Sequence, residues 1–191
     1  MTSHPTPMIR RLLSTALVVA IATPALAQRA DFTWEKALPA GNDVRMDLQV
    51  AVPTNLRVSA SSVSGDVSVD GAHGDVDANS VSGDIRLDRL HATGVHANSV
   101  SGDIEVGVDE FTGRGDLYFH SVSGDVTLTV PRGFDADLSM STVSGDIDSD
   151  FPITVGNGRM SRRRLEARIG NGGRRLDVGT VSGDLKLRQS K

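Results

Sequence analysis

From Val58 to Leu187, apolar side chains fall at every second position in short runs, and the runs recur about every twenty residues. One set holds Val58/Ala60, Val76/Ala78, Val95/Ala97, Leu117/Phe119, Leu138/Met140 and Leu176/Val178. A second set holds Val67/Val69, Ile85/Leu87, Ile104/Val106, Val126/Leu128, Ile147/Ser149 and Leu185/Leu187, with Ser149 the one polar member. A spacing of two is the strand period, so the pattern predicts short strands with one face inside and one face wet. Polar residues fill the intervening positions. Arg86 and Glu105 hold the same place in successive runs and are expected side by side.

Between the two sets stands the tetrapeptide Val-Ser-Gly-Asp, six times: at 63–66, 81–84, 100–103, 122–125, 143–146 and 181–184. The steps are 18, 19, 22, 21 and 38 residues, the last being twice 19. A fixed period near this length predicts a stacked repeat. The inward parity flips between the Ser or Thr before the motif and its Val, which predicts a corner there. In this reading Val restarts the inward face, Gly permits the bend and Asp serves the turn. Weaker Gly-Asp pairs at 74–75 and 115–116, with Gly94 in a similar place, mark a second corner. The expected fold is all-β: a single-domain β-solenoid, or β-helix-like stack, of 18–22-residue coils with two strands each. An antiparallel β-sandwich of hairpins is the alternative, because turn signals every 8–12 residues also suit it.

The ends differ from the middle. Residues 1–27 read as a secretory signal peptide: Arg10-Arg11, an apolar run from Leu12 to Ile21, and Ala25-Leu26-Ala27 before a cleavage point at Gln28. Residues 28–55, with Phe32, Trp34 and the alternating Val44, Met46, Leu48, Val50 and Val52, read as capping strands. Residues 56–191 form the repeat domain. Within it one motif is missing after Asp146, where Arg159, Arg162, Arg163, Arg164, Arg168, Arg174 and Arg175 cluster. The alternating Leu165, Ala167 and Ile169 predict a degenerate coil or hairpin through that stretch.

Export sharpens the picture. Cleavage leaves 164 residues with 18 basic against 24 acidic side chains. That balance argues against nucleic acid and anionic lipid as general partners. No cysteine is present, hence no lipid-attachment thiol and no disulfide framework. No integral membrane segment is expected after cleavage. The location expected is the periplasm, the medium or the cell surface.

The repeated Ser/Thr-Val-Ser-Gly-Asp pattern, the Phe32-x-Trp34 start, and the Gly-rich turn into Leu176–Asp184 resemble the DUF4097 family. The likeness runs from about Asp31 to Leu187. It implies an exported β-strand repeat of the bacterial envelope, non-catalytic, with an adhesin label and no family active site to carry over.

Candidate chemistry is sparse. The aspartates Asp66, Asp84, Asp103, Asp125, Asp146 and Asp184 invite a calcium reading, since Ca²⁺ is bound by oxygen ligands. The reading preferred is that they accept hydrogen bonds from turn amides or from a neighbouring Ser hydroxyl. His96, Tyr118 and His120 share outward columns with Asp77, Asn79 and Asn98, but lack the tight His pairing of a zinc site. No Gly-x-Ser-x-Gly elbow occurs, and a serine copied in every coil is unlike a singular nucleophile. Arg114-Gly115-Asp116 is explained by its half-coil turn. The expectation is a non-enzymatic binding or scaffold module without cofactor. Its partner would be an envelope protein or a glycan, contacted through Arg159, Arg162, Arg163 and Arg164 or through His96, Tyr118 and His120. The alternatives are an envelope-stress accessory protein bound to a membrane partner, a calcium-binding repeat and a carbohydrate-active enzyme.

Overall fold

The computed structural model describes residues 17–23, 28–31, 57–152, 160–161 and 163–190. Strands β1 (Leu17–Thr23) and β2 (Gln28–Asp31) precede the repeats. The repeats then supply β3 (Val58–Ser64), β4 (Val67–Asp70), β5 (His73–Ser82), β6 (Ile85–Ser101) and β7 (Ile104–Phe111). There follow β8 (Leu117–Ser123), β9 (Val126–Val130), β10 (Ala136–Ser144) and β11 (Ile147–Ser149). Last come β12 (Met160–Ser161), β13 (Arg164–Ile169), β14 (Arg175–Ser182) and β15 (Leu185–Gln189). No helix occurs among the described residues.

Equivalent strands of the repeats pair in parallel and in phase, giving a β-solenoid-like stack. On one face the order is β3, β5, the second half of β6, β8, β14, β10. On the other it is β4, the first half of β6, β7, β9, β15, β11. Val58 pairs with Val76, Val76 with Val95, Val95 with Leu117, and Leu117 with Leu176. Each predicted column therefore lies in register. Among the described residues the antiparallel pairs are those of β1 with β2 and β3, and of β13 with β10 and β12. The repeat strands are thus not the hairpins of a sandwich.

The order is not sequential. The final coil, β14 and β15, is inserted between the coil of β8/β9 and the coil of β10/β11. The chain makes β10 and β11, turns back through the Arg-rich stretch, and lays β13 antiparallel along the outer edge of β10, with Leu138 opposite Ala167. It then re-enters the stack. The missing motif is therefore an edge strand rather than a degenerate coil. Charged Arg164 and Arg168 on that strand, and the three-residue length of β11, blunt two edges that would otherwise invite pairing.

The interior is aliphatic and almost wholly sealed. The columns through Ala60, Val58, Val67 and Leu87 are buried from end to end, with only Val69, Ile147 and Ser149 partly open. Phe111, Phe134 and Phe151 pack against one another at the second corner, with ring centroids 5.1 and 6.3 Å apart. In β6 that corner breaks no strand. Arg89 takes a φ of 52° there and its guanidinium pairs with Asp70.

One expectation fails. The motif valines do not restart the inward face; they stand 48–63% exposed as a stripe along the stack. The buried residue is the preceding Ser or Thr: Ser62, Ser80, Ser99, Ser121, Thr142 and Thr180. At a corner the alternation of a flat strand no longer fixes direction, and the chain turns around the small hydroxyl. The Thr180 hydroxyl donates to the Gly124 carbonyl, and the Thr142 hydroxyl to that of Gly183.

The motif glycines do what only glycine can. At Gly183, φ is 150° and a Cβ would sit 2.1 Å from the Gly124 carbonyl oxygen. Its own N–H donates to the Ser144 carbonyl at 3.0 Å, so successive corners nest. The aspartates form a ladder in spatial order. The amides of Asp84, Asp103, Asp125, Asp184 and Asp146 donate to Oδ1 of Asp66, Asp84, Asp103, Asp125 and Asp184 at 2.8–3.0 Å.

One rung of the ladder, Asp125, and one aspartate outside it, Asp137, carry a pH signature. The Asp125 carboxyl is held below the usual carboxylate range by the Asp184 amide and by Lys186. Asp137 is held low by Arg168 and the Gly173 amide. A depressed folded-state pKa contributes stability that is present above the unfolded value of about 3.9 and lost as pH falls through the folded value. The melting temperature is therefore expected to stay level from pH 7 to about pH 5 and to fall below about pH 4. A melting temperature unchanged down to pH 2 would contradict the stabilising role of these two carboxylates.

Candidate functional site

In a repeat every copied residue is a candidate for architecture, so a site is sought where the copies differ. The outer face of the long sheet differs at its centre. One outward row runs Ser59, Asp77, His96, Tyr118, Asp177, Ser139 and Glu166 across seven strands. The next runs Ser61, Asn79, Asn98, His120, Gly179, Ser141 and Arg164. The strand pleat sends both rows to solvent.

Tyr118 stands at the middle, 38% exposed, and is the one exposed Phe, Tyr or Trp among the described residues. The His96 ring meets it edge-on at 6.2 Å, and His120 lies against it at 4.6 Å. Each imidazole is backed by a carboxylate. His96 Nδ1 is 3.3 Å from Asp77 Oδ1, and Arg57 reaches the other oxygen of that carboxylate at 3.5 Å. His120 Nε2 is 3.4 Å from Asp177 Oδ1, buried, but outside hydrogen-bond geometry. Arg175 contacts the same carboxylate at 3.6 Å. Asn98 donates to Asn79 at 3.1 Å.

His120 keeps its place because its neighbour on β14 is a glycine. A Cβ at Gly179 would lie 2.8 Å from His120 Nδ1, so the ring reclines over the bare backbone. Ser141 lies one strand further on, with no hydrogen bond to His120 among the described residues. The constellation has an acid and an imidazole but no engaged nucleophile.

The other expected contacts divide. Arg159 and Arg162 lie outside the described residues. Arg163 is exposed in a turn, and Arg164 is exposed on β13, 3.3 Å from Glu166. Arg164 and His120 occupy the same outward row three strands apart. Two candidates from separate parts of the sequence thus lie on one face, with β14 and β10 between their strands. Arg86 and Glu105 sit opposed as expected, at 3.7 Å.

Five of the six column aspartates, all but Asp146 at the end, have Oδ1 committed to the amide of the next rung, and two of the Oδ2 atoms face cations: Arg86 at Asp84 and Lys186 at Asp125. Among the described residues no group of three or more His, Asp or Glu is arranged to hold a metal ion.

A second singular feature is absent from the expectations. Arg174 is 7% exposed, inside an open groove of about 720 Å³ at the second corner. Its guanidinium lies 4.2 Å over the Phe111 ring and donates to the carbonyls of Thr93, Gly113 and Gly115. Burial lowers its pKa from the usual guanidinium value. The carbonyls come from β6 (Thr93) and from the loop before β8 (Gly113 and Gly115), so Arg174 rivets the inserted coil to chain laid down 59 to 81 residues earlier. The groove's rim carries Asp109 and Glu110 against Arg114 and Arg132, which balance one another and select no charge. Arg174→Met keeps the stem and removes the donors. It is expected to cost about 2–4 kcal/mol, because three part-buried carbonyls lose their charged partner together. Urea unfolding checks this; a loss below about 0.5 kcal/mol would make the rivet ornamental.

The model of the Toastrack DUF4097 family matches residues 43–188. No curated protein and no solved structure matches the chain.

Proposed function

We propose that this chain, which belongs to the Toastrack DUF4097 family, is a non-catalytic binding and scaffold module exported to the bacterial envelope. It acts from the periplasm or the cell surface through the outer face of its long sheet. Residues 1–27 direct export and are removed before Gln28, a step that would take β1 with them. The solenoid of two-strand coils supplies rigidity, and the face supplies recognition.

The observation that carries this reading is the cluster of His96, Tyr118 and His120, backed by Asp77 and Asp177, at the centre of an otherwise repeated surface. An amphipathic ring ordered by its neighbours offers contact area at low entropic cost, and such residues carry most interface energy. Around it, Asn79, Asn98, Ser139 and Ser141 offer donors and acceptors in a plane. That chemistry suits the hydroxyls of an envelope glycan or the polar surface of an envelope protein.

The test uses the mature protein against a panel of envelope glycans and an envelope extract. Tyr118→Ala with His120→Ala is expected to weaken capture roughly 10-fold or more, as loss of a central aromatic anchor does. Arg164→Glu is expected to weaken it less, from the rim. Full capture by the Tyr118/His120 variant would sink the assignment of this face.

A further inference from the structure

The insertion of the last coil has a consequence for assembly. In the folded chain the β8 and β10 strands that flank Arg174–Gln189 stand two strand spacings apart, about 9.6 Å. The walls of that slot come entirely from earlier chain, joined through residues 131–135. The coil that fills it is bonded on both sides. Gly124 N–H donates to the Ser182 carbonyl on one side, and Gly183 N–H to the Ser144 carbonyl on the other, each at 3.0 Å. Leu176, Val178, Leu185 and Leu187 of the coil are sealed in the core.

We propose that the slot between β8 and β10 is a strand-acceptor site, and that it takes the C-terminal coil of a second copy of this chain as well as its own. The occupant is fixed by side chains that only this coil carries. Arg174 reaches the carbonyls of Thr93, Gly113 and Gly115; Lys186 reaches Asp125; Arg188 reaches Asp148 and Asp150. Other coils of the chain share the motif but none of these three contacts.

All of these bonds are the same whether the coil comes from the same chain or from a neighbour. Only the tether differs. It is Gly170-Asn171-Gly172-Gly173, with φ of 56°, 70° and 98° at the three glycines. Asp135 accepts from the Asn171 amide, and Asp137 from that of Gly173. A tether this short holds its own coil at an effective concentration on the order of millimolar or above. Exchange therefore competes when the chain itself is that concentrated while the slot is open. Reciprocal exchange closes a twofold dimer with neither slot left empty. Each copy's Arg174 then completes the groove of the other.

The test exploits the absence of native cysteine. Ser123 and Ser182 are exposed register partners on β8 and β14. Full-length S123C and S182C chains are mixed, unfolded together, refolded at ~1 mM and oxidised. Each variant treated alone is the control, and the S123C/S182C double variant must close its disulfide within one chain. The expected product is a cross-linked species of twice the 20.2 kDa chain mass, formed only in the refolded mixture. Deleting Gly172 and Gly173 from both chains should shift nearly all refolded protein to the dimer, because the short tether no longer spans the turn. No mixed cross-link after refolding, with native β circular dichroism regained and the double variant closed, overturns the proposal. Failure of the double variant to close overturns it as well, since the slot would not hold that coil in that register.

Discussion

A chain that stops at Gly173 is expected not to fold to a monomer. In an ordinary sequential stack, loss of the last coil exposes one new end and costs one interface. Here the last coil is interior. Its removal uncovers the edges of β8, β9, β10 and β11 together. It also takes Leu176, Val178, Leu185 and Leu187 out of the core. At about 1.5–3 kcal/mol for each buried side chain, these four alone contribute about 6–12 kcal/mol. A domain's whole net stability is about 5–15 kcal/mol. The truncated chain should lose its cooperative thermal transition and elute as aggregate, since open strand edges are pairing templates. A monomer melting within a few degrees of the full chain would mean that the coil is peripheral.

Gly183→Ala is expected to be nearly as damaging. The added methyl carbon would stand 2.1 Å from the Gly124 carbonyl oxygen, and φ at the site is 150°. Neither wall can retreat, because the Thr180 hydroxyl and the Gly124 amide tie the same two coils together. Strain of this backbone conformation alone costs about 1–3 kcal/mol, and the clash adds to it, so a loss above about 4 kcal/mol is expected. Gly133→Ala is the control: φ is 80° there too, but nothing lies within 4 Å of the new carbon. It should cost only about 1–2 kcal/mol. Equal urea midpoints for the two variants would show that backbone conformation, not the nesting of corners, sets the glycine requirement.

The columns of the core were legible because in-phase parallel stacking places the same position of each repeat at the same depth. Ala60, Ala78 and Ala97 meet, and so do Val67, Ile85 and Ile104. The amide role of the aspartates followed from their place after a bend. The direction of the motif valines did not follow, since alternation fails where the chain turns. The place of the last coil was hidden for a different reason. A 38-residue step equals two repeats, so a lost coil and an excursion to the edge leave the same spacing. Which strand lies beside which is a matter of non-local pairing between near-identical segments.

Arg174 could have been found. It shares the parity of Leu176 and Val178, and a charge at an inward position signals a buried partner. Six other arginines nearby masked it. The candidate face was half legible: His96, Tyr118 and His120 fall in outward columns. Asp177 and the bare Gly179 beside His120 join them only once β14 is seen between β8 and β10.

Insertion of the last coil also underlies the face, the groove and the coil exchange, and three cysteine pairs test it most directly. Ser182 lies beside Ser123 on one side and Ser144 on the other. Oxidation should close S123C/S182C and S144C/S182C within one folded chain. It should leave S123C/S144C open, because two strand spacings, about 9.6 Å, exceed the reach of a disulfide. Closure of S123C/S144C, with the other two pairs left reduced, would show that the coils follow one another in sequence order and would contradict the account.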